Sequence, residues 1–147
     1  MMHYILVGLI VLAVATAGLM IWVRSVSVPA EIHHAAGEMP AEGDHPREGG
    51  FTAVRGVADP RAALRDLVGR IERTPRTSRL AGSIAEGHAS FVTRSRIWGF
   101  PDVTNVWIDD DRLAIRGNLV IGRGDLGVNR RRIEGWLADM PALSSAR

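Results

Sequence analysis

An uninterrupted apolar run occupies residues 4–23 and constrains this chain more than any other feature of its sequence. None of the twenty side chains in the run carries a charge. As an α-helix the run would extend about 30 Å, the thickness of the hydrocarbon core of a bilayer. Tyr4 and Trp22 lie near its opposite ends, where aromatic rings favour the headgroup level, and Arg24 follows it. The sequence therefore predicts a single transmembrane anchor over residues 1–23.

A cleaved signal peptide is the alternative for this segment, because residues 15–17 read Ala-Thr-Ala and resemble a cleavage site. No Arg or Lys precedes the apolar run, however, and apolar residues continue to Val23, which favours a retained anchor. All 18 basic residues are Arg, a bias that favours a GC-rich bacterial source. Since the N-terminal tail is short and the segment after the run is acidic, we expect a single-pass protein of a bacterial inner membrane whose domain faces the periplasm.

Residues 24–50 are rich in Pro, Gly, Ala and acidic side chains and show no sustained apolar period. Two Arg stand against five acidic residues, a net charge of −3. This composition predicts a flexible acidic linker. His33, His34 and His45 lie among the acidic residues and raise the alternative of a metal-binding tract. Because a flexible segment loses conformational entropy when it coordinates a metal, we expect a solvated linker and no metal site.

Residues 51–147 are of a length that predicts one small domain. A helix begins at Pro60, where Asp59 is placed to cap it, and its apolar residues recur at helical spacing up to Ile71. The other predicted elements are strands at 51–57, 79–84, 88–95, 103–108 and 112–121, and a last helix with Ile133, Trp136, Leu137 and Met140 on one face. The order is β-α-β-β-β-β-α. Two amphipathic helices and a one-sided antiparallel sheet bury their apolar faces against each other, so we predict an α+β, two-layer sandwich.

Charge and cysteine content narrow the function classes. Residues 51–147 hold sixteen Arg against eleven acidic residues, a net charge of +5. This mild excess favours anionic partners such as lipid headgroups or acidic membrane proteins, and it falls short of the basic stripe of a nucleic-acid binder. The chain contains no Cys, which excludes disulfides and thiolate metal ligands. We expect no cofactor and no nucleic-acid partner.

A glycine motif at residues 122–127 matches the dinucleotide-binding pattern G-x-G-x-x-G and lies between a predicted strand and a predicted helix. That fold also needs a following parallel strand and an acidic residue ~20 positions further on, which this sequence does not supply. The glycines are better interpreted as a tight corner between strand and helix.

Two strings of residues resemble one known family. Residues 94–103 read R-S-R-I-W-G-F-P-D-V, and residues 122–134 contain D-L-G-V-N-R-R-R-I-E. Together they resemble the hallmarks of the domain of unknown function 1499 family over residues 51–137. Gly117, Leu119, Val120 and Gly124 depart from its usual Ser, Ser, Arg and Ser. The resemblance implies a small domain that is often membrane-anchored or exported in bacteria and plastids, and it implies no reaction.

The second string also suggests an anion site, because the N-terminus of a helix attracts phosphate and carboxylate groups. Asp125 is placed to cap that helix, and Asn129 falls on its buried face. The candidate ligand-binding residues are Arg94, Arg96, Arg123, Asp125, Asn129, Arg130 and Arg131. The structural alternative is that these side chains form caps and surface ion pairs, since Glu134 follows Arg130 at i+4.

Three functions remain open from the sequence. The first is a non-enzymatic, membrane-anchored binding or accessory module for an anionic lipid headgroup, a small anion or an acidic partner. The second is a hydrolase acting on an anionic envelope substrate, with Asp102, Asp125 and His88 as candidates. The third is a supernumerary subunit that joins a membrane complex through its transmembrane helix. An enzyme needs His88 or Asp125 within hydrogen-bonding reach of another titratable group in a pocket.

Overall fold

A computed structural model of the chain describes residues 1–138 and 140–144. In chain order its elements are α1 (Met2–Ser25), α2 (Ala30–His33), β1 (Gly43–Arg47), β2 (Gly50–Gly56), α3 (Pro60–Glu72), β3 (Thr77–Ser83), β4 (His88–Arg94), β5 (Pro101–Asp109), β6 (Arg112–Leu119), α4 (Val128–Leu137) and α5 (Pro141–Ser144). Residue 139 and residues 145–147 of the predicted domain lie outside the described residues.

Helix α1 contains the apolar run, and it is long and apolar enough to cross a membrane. Its side chains are largely exposed along its length. Near its C-terminal end Val23 is fully buried, and the guanidinium Nη2 of Arg24 donates to the carbonyl of Ile97 at 2.9 Å. The end of the helix is therefore attached to the loop between β4 and β5.

The domain is built on a six-stranded sheet with the strand order β1-β2-β6-β5-β4-β3, in which every neighbouring pair is antiparallel. Successive side chains along a strand point to opposite faces of a sheet. On one face Phe51, Phe91, Val106 and Ile115 form the main core together with apolar residues of α3 and α4. The two helices therefore bury the large side chains on this face.

The predicted α+β class and the order β-α-β-β-β-β-α are confirmed by the elements from β2 to α4. Helix α3 begins where the capping pattern places it, because a carboxylate oxygen of Asp59 accepts a hydrogen bond from the backbone N–H of Ala62 at 2.9 Å. Its predicted apolar face is buried, from Leu64 to Ile71. Local sequence signals and tertiary packing agree over this part of the chain.

The structure differs from the predicted flexible linker over residues 24–50. This segment supplies α2 and the edge strand β1, so the sheet begins at Gly43 instead of residue 51. Pairing with β1 gives the outer side of β2 its hydrogen bonds and ends the sheet in a short, Pro-containing strand, which is a poor template for pairing with another chain. Pro46 lies within β1 and hides the strand from a pattern-based prediction, yet an edge strand tolerates the missing N–H.

The rest of that segment covers the second face of the sheet. Val54, Trp107 and Ala114 form a smaller apolar cluster there, and Ala36 and Met39 pack against it. The sheet is consequently covered on both faces, whereas the sequence predicted a sheet that is apolar on one side.

Asn105, on β5, holds this cover in place through its buried amide. Its Nδ2 donates to the carbonyl of His33 at 3.0 Å, and its Oδ1 accepts from the backbone N–H of Ala35 at 3.2 Å. Arg116 donates to the carbonyl of Ala35 from the neighbouring strand. The cover is therefore fixed by polar contacts with its backbone as well as by apolar packing. We name residues 30–40 the covering segment.

Asn105→Ala is expected to loosen the covering segment, because it removes both hydrogen bonds to the segment backbone. The hydrogen bond that the Ala35 amide donates contributes about 1 kcal/mol, so this amide should exchange with solvent about fivefold faster. Hydrogen–deuterium exchange on the full-length protein in detergent measures this change. Asn118→Ala is the matched control, since that amide bonds Arg47 and not the covering segment. Equal exchange of the Ala35 amide in the two variants would contradict the conclusion that Asn105 holds the covering segment.

Candidate functional site

An apolar cavity of about 340 Å³ lies at the end of the sheet where β5 begins and β6 ends. Its apolar walls come from Phe100, Leu119, Ile121 and Val128. Phe100 precedes β5, Leu119 ends β6, and Val128 begins α4, so the cavity is formed where a sheet end meets a helix start. Side chains of this kind accommodate hydrocarbon better than charged groups.

A buried ion pair forms the polar floor of this cavity. A guanidinium nitrogen of Arg132 lies 2.9 Å from a carboxylate oxygen of Asp102, and the two side chains are only 16% and 7% exposed. Burial raises the pKa of Asp102, and the hydrogen bond and charge of Arg132 oppose that rise. The pair is close to neutral as a unit, so it does not make the cavity strongly charged.

Asp125 lines the same cavity and caps α4, as predicted. One carboxylate oxygen accepts from the backbone N–H of Gly127 and the other from that of Asn129, each at 2.9 Å. Burial on its own would raise the pKa of Asp125, but these backbone hydrogen bonds outweigh it, and the pKa is lowered. Asp125 is therefore an ionised cap whose oxygens are already bonded.

A second, polar cavity of about 490 Å³ adjoins the first, since Leu119 and Gly122 line both. Its charged residues are Arg47, Glu48 and Arg123. A guanidinium nitrogen of Arg47 donates to the side-chain oxygen of Asn118 at 2.6 Å. Arg123 is exposed and has no hydrogen-bonding or ion-pairing partner among the residues that the structure describes. We name this space the basic cavity and its neighbour the apolar cavity.

The structure brings together only some of the residues predicted for the anion site. Arg123 and Asp125 line the two adjoining cavities. Arg130 instead pairs with Glu134 at 2.7 Å, and its guanidinium lies 5.6 Å from the ring centre of Phe51. Arg131 donates to the carbonyl of residue 126 at 3.0 Å. The i+4 ion pair that the sequence offered as the structural alternative is therefore present.

Asn129 is 1% exposed, and its side-chain oxygen accepts from Arg132 at 3.3 Å. A Cβ on Gly117 would lie 2.7 Å from that same oxygen. The missing side chain of Gly117 makes the room that Asn129 occupies. Asn129 thus accepts a hydrogen bond from Arg132 of the ion pair and is not among the residues that line the cavity.

Arg94 and Arg96 lie apart from the other predicted site residues. Arg94 donates to the carbonyls of Val26 at 2.8 Å, Gly99 at 3.1 Å and Val23 at 3.4 Å. Its side chain therefore fixes the chain at the end of α1. Arg96 is exposed in the loop between β4 and β5. Strand alternation explains the separation, because Arg94 extends from the face of the sheet that α4 does not cover.

Sequence reasoning missed Arg47, Asn118 and Arg132 as site residues. For Arg132 a signal was present, since residues 129, 132, 133 and 136 follow the i, i+3, i+4, i+7 spacing of one helix face. An arginine on a buried helix face needs an acidic partner. For Arg47 and Asn118 no signal was present, because only strand pairing brings β1 beside the end of β6.

His88, the hydrolase candidate, lies under the covering segment and away from both cavities. Its ring stacks on His34 with centres 3.9 Å apart, and its Nε2 bonds the side-chain oxygen of Asn105 at 3.0 Å. The Nδ1 of His34 lies 2.8 Å from the hydroxyl oxygen of Ser90, a serine with no exposed surface. A fully buried hydroxyl is not placed to attack a substrate, so this cluster serves to pack the cover against the sheet. Within the described part of the chain, no group of three or more His, Asp or Glu side chains is arranged to hold a metal ion.

An N-terminal helix of membrane-spanning length followed by an α+β domain with helices on an antiparallel sheet defines the structural class of this protein. The family model described as "Protein of unknown function (DUF1499)" matches residues 47–140, which is well over half of the chain. The chain belongs to this family, and the resemblance seen in the sequence is confirmed. A search of curated proteins found no match.

The matched range has a consequence for the site. It contains every residue that lines the two cavities, from Arg47 to Arg132, whereas α1 and the covering segment precede it. Both cavities therefore lie within the part of the chain that matches the family.

Arg132→Met is expected to destabilise the protein by about 3 kcal/mol at neutral pH, because it leaves Asp102 buried without its partner. The loss should shrink on acidification. A carboxyl group whose folded pKa is raised contributes stability that is complete below its ordinary value of 3.8 and is lost as the pH rises through the folded value. Removing Arg132 raises that pKa further. Guanidinium unfolding of the full-length protein in detergent, followed by tryptophan fluorescence at pH 4.5 and pH 7, measures the difference.

Arg131→Met is the control for that experiment, since it removes the neighbouring exposed arginine of the same helix. It should cost little at either pH. A loss in Arg132→Met that is the same at both pH values would contradict the role assigned to Asp102.

Acidification is expected to weaken the covering segment through His88. Burial lowers the pKa of His88, as do the charges of His34 and Arg116, while the hydrogen bond to Asn105 and the charge of Glu86 oppose them. A histidine with a lowered folded pKa contributes stability that is present above its ordinary value of 6.5 and is lost as the pH falls. The protection factor of the Ala35 amide, which is the intrinsic exchange rate at each pH divided by the observed rate, should therefore fall between pH 7 and pH 5. In His88→Gln, which stays neutral, this fall should be smaller. An NMR titration midpoint of His88 at or above 6.5 would rule out a role of His88 in this pH dependence.

Proposed function

We propose that this protein is a non-enzymatic binding module, anchored by α1 in a bacterial inner membrane, that holds an anionic amphiphile such as a lipid. The headgroup would occupy the basic cavity and the hydrocarbon chain the apolar cavity. The observation that carries the proposal is that a basic cavity and an apolar cavity adjoin, with Leu119 and Gly122 common to both.

The charges of the basic cavity support an anionic headgroup. Arg123 has no partner among the described residues, and the hydrogen bond of Arg47 to neutral Asn118 leaves its charge uncompensated. Arginine suits phosphate and carboxylate because its planar fork donates two parallel hydrogen bonds. Glu48 is the acidic residue at this cavity, so the two arginines leave a net positive charge.

The apolar cavity supports a hydrocarbon chain as the other half of the ligand. Its volume of about 340 Å³ is at the lower end of the range for small-molecule sites, so it suits part of a chain and not a whole lipid. Its ionisable groups are already bonded, Asp102 to Arg132 and Asp125 to backbone amides. A hydrocarbon chain that enters this cavity would displace water without desolvating an unpaired charge.

A membrane location supports the same ligand class. The N-terminal tail before the apolar run is short and the segment after α1 is acidic, which favours export of the domain, and we propose that the domain faces the periplasm. In that position the cavities lie within reach of membrane lipid, because the β4–β5 loop that bonds Arg24 also supplies Phe100 to the apolar cavity.

A hydrolase is the second candidate, and one observation favours it. Asp102 and Asp125 line a single cavity, and the pKa of Asp102 is raised while that of Asp125 is lowered. Paired acids with separated pKa values are typical of acid–base catalysis. We rank it second because both acids already have structural partners. Asp102 pairs with Arg132, and Asp125 accepts hydrogen bonds from backbone amides at the start of α4. Turnover of a phosphate or ester lipid that is abolished in Asp102→Asn would favour it.

The binding proposal predicts that Arg47→Gln/Arg123→Gln loses bound anionic lipid. Full-length protein is extracted in a mild detergent, and native mass spectrometry compares the lipid adducts of the variant and the wild type. We expect about a tenfold loss of anionic lipid, equivalent to a contact of about 1.4 kcal/mol. Arg65→Gln/Arg73→Gln is the matched control, because it removes two exposed arginines near α3, distant in sequence from both cavities. The control should retain the wild-type adducts.

Competition by added ligands distinguishes a site for a free anion from a site for a whole anionic lipid. Competition by inorganic phosphate at the same concentration as a short-chain phosphatidylglycerol would indicate a headgroup-only site. Competition by the lipid alone requires both cavities. Equal adducts in the two variants, or adducts only of neutral lipids, would overturn the proposal.

A further inference from the structure

Three large apolar side chains at one end of the domain are exposed to solvent. Apart from α1, the described residues include four large hydrophobic side chains classed as exposed: Ile32, Ile97, Leu126 and Val128. The last three are 65%, 90% and 39% exposed, and they lie in the β4–β5 loop and at the start of α4. Ile32 lies in the covering segment. We infer that Ile97, Leu126 and Val128 insert into the surface of the lipid bilayer in which α1 is anchored. This inference rests on the membrane anchor of the proposed function.

Leu126 is the clearest of the three. It has a φ of +51°, in the left-handed region that branched residues disfavour, and it is 90% exposed. An exposed leucine side chain is unfavourable in water, and insertion into lipid removes that cost. Its neighbour Asp125 has both carboxylate oxygens bonded by backbone amides, so its charge is held by hydrogen bonds within the protein beside the leucine.

The attachment of α1 places Ile97 at the membrane surface. Arg24 directly follows the apolar run, and its Nη2 donates to the carbonyl of Ile97 at 2.9 Å. A Cβ on Gly99 would lie 2.5 Å from the Cγ of Arg24, so the loop packs directly on the arginine side chain. Arg94 binds the carbonyls of Val23 and Val26 from the same end of β4. If α1 spans the bilayer, this loop lies at the headgroup level.

The apolar cavity connects the loop to Leu126. Ser95 and Phe100, at the two ends of the β4–β5 loop, line the cavity on one side, and Asp125 and Val128 line it on the other. Leu126 lies between those last two residues in the chain. The three exposed side chains therefore flank the cavity, and its mouth would face lipid when they are inserted.

Exposed arginines surround this surface and favour the same partner. Arg96 lies next to Ile97, Arg123 precedes Leu126, and Arg131 follows in the first turns of α4. Apolar side chains flanked by arginines are typical of surfaces that bind anionic membranes, where hydrocarbon contact and charge attraction act together. The opposite end of the sheet carries the acidic turn at residues 109–111, which such a membrane would repel.

The absence of Cys makes single-cysteine labelling a direct test. Ile97→Cys and Leu126→Cys are labelled with the environment-sensitive dye NBD in the full-length protein, in nanodiscs of phosphatidylcholine and phosphatidylglycerol. Ala85→Cys, in the exposed turn between β3 and β4 at the other end of the sheet, is the matched control. Lipids with a nitroxide near the top of the acyl chain should quench labels at 97 and 126 about threefold more than the label at 85. Val128→Cys replaces Leu126→Cys if the latter does not fold.

A fourth label separates this inference from the proposed function. Ala17→Cys, inside α1, reports whether the anchor is in the bilayer. One outcome is that the label at 17 is quenched while the labels at 97 and 126 are quenched no more than the label at 85. That outcome would overturn the insertion of Ile97, Leu126 and Val128 alone. The lipid adducts that depend on Arg47 and Arg123 would then still test the binding module. No quenching at 17 would overturn both, and quenching at 17, 97 and 126 supports the inference.

Discussion

Both faces of the sheet carry apolar side chains, and the need to cover both determines how the rest of the chain is arranged. Phe51, Phe91 and their neighbours on one face require α3 and α4. Trp107 and its neighbours on the other face require a second cover, which the chain takes from the segment just after α1. Since that segment is short, covering the second face brings the end of α1 against the domain. The position of the apolar helix relative to the domain thus follows from the burial of a sheet face.

Buried polar groups make this arrangement specific. The amide of Asn105 bonds the backbone of the covering segment at His33 and Ala35, so only one alignment of that segment satisfies it. On the helix-covered face, Arg132 of α4 pairs with Asp102 of β5. Apolar packing alone tolerates sliding, whereas a buried hydrogen bond or ion pair does not, because a displaced partner leaves a polar group desolvated.

The site is a consequence of the same contacts. The ion pair joins the start of β5 to α4, and the cap at Asp125 determines where α4 begins, so together they leave an apolar space between sheet end and helix. Pairing of β1 with β2 then brings Arg47 beside Asn118 at the end of β6. A basic cavity and an apolar cavity adjoin because two strand ends, one helix start and one loop meet there.

The sequence by itself determined the apolar helix, the order of elements from β2 to α4, the cap at Asp125 and the family. Each of these depends on residues close together in the chain: an uncharged run, a helical or alternating period, a carboxylate two to four residues before the amides it bonds. Arg130 shows the limit of such reasoning. The i+4 spacing correctly indicated its ion pair with Glu134, whereas an anion site depends on neighbours from distant parts of the chain. Tertiary structure alone decided that residues 24–50 form a strand and a cover, that Arg94 fixes the end of α1, and that Arg47 joins Arg123 at a cavity. These arrangements depend on strand pairing and on the burial of a second sheet face, and neither contact leaves a periodic pattern in a segment rich in Pro, Gly and charge.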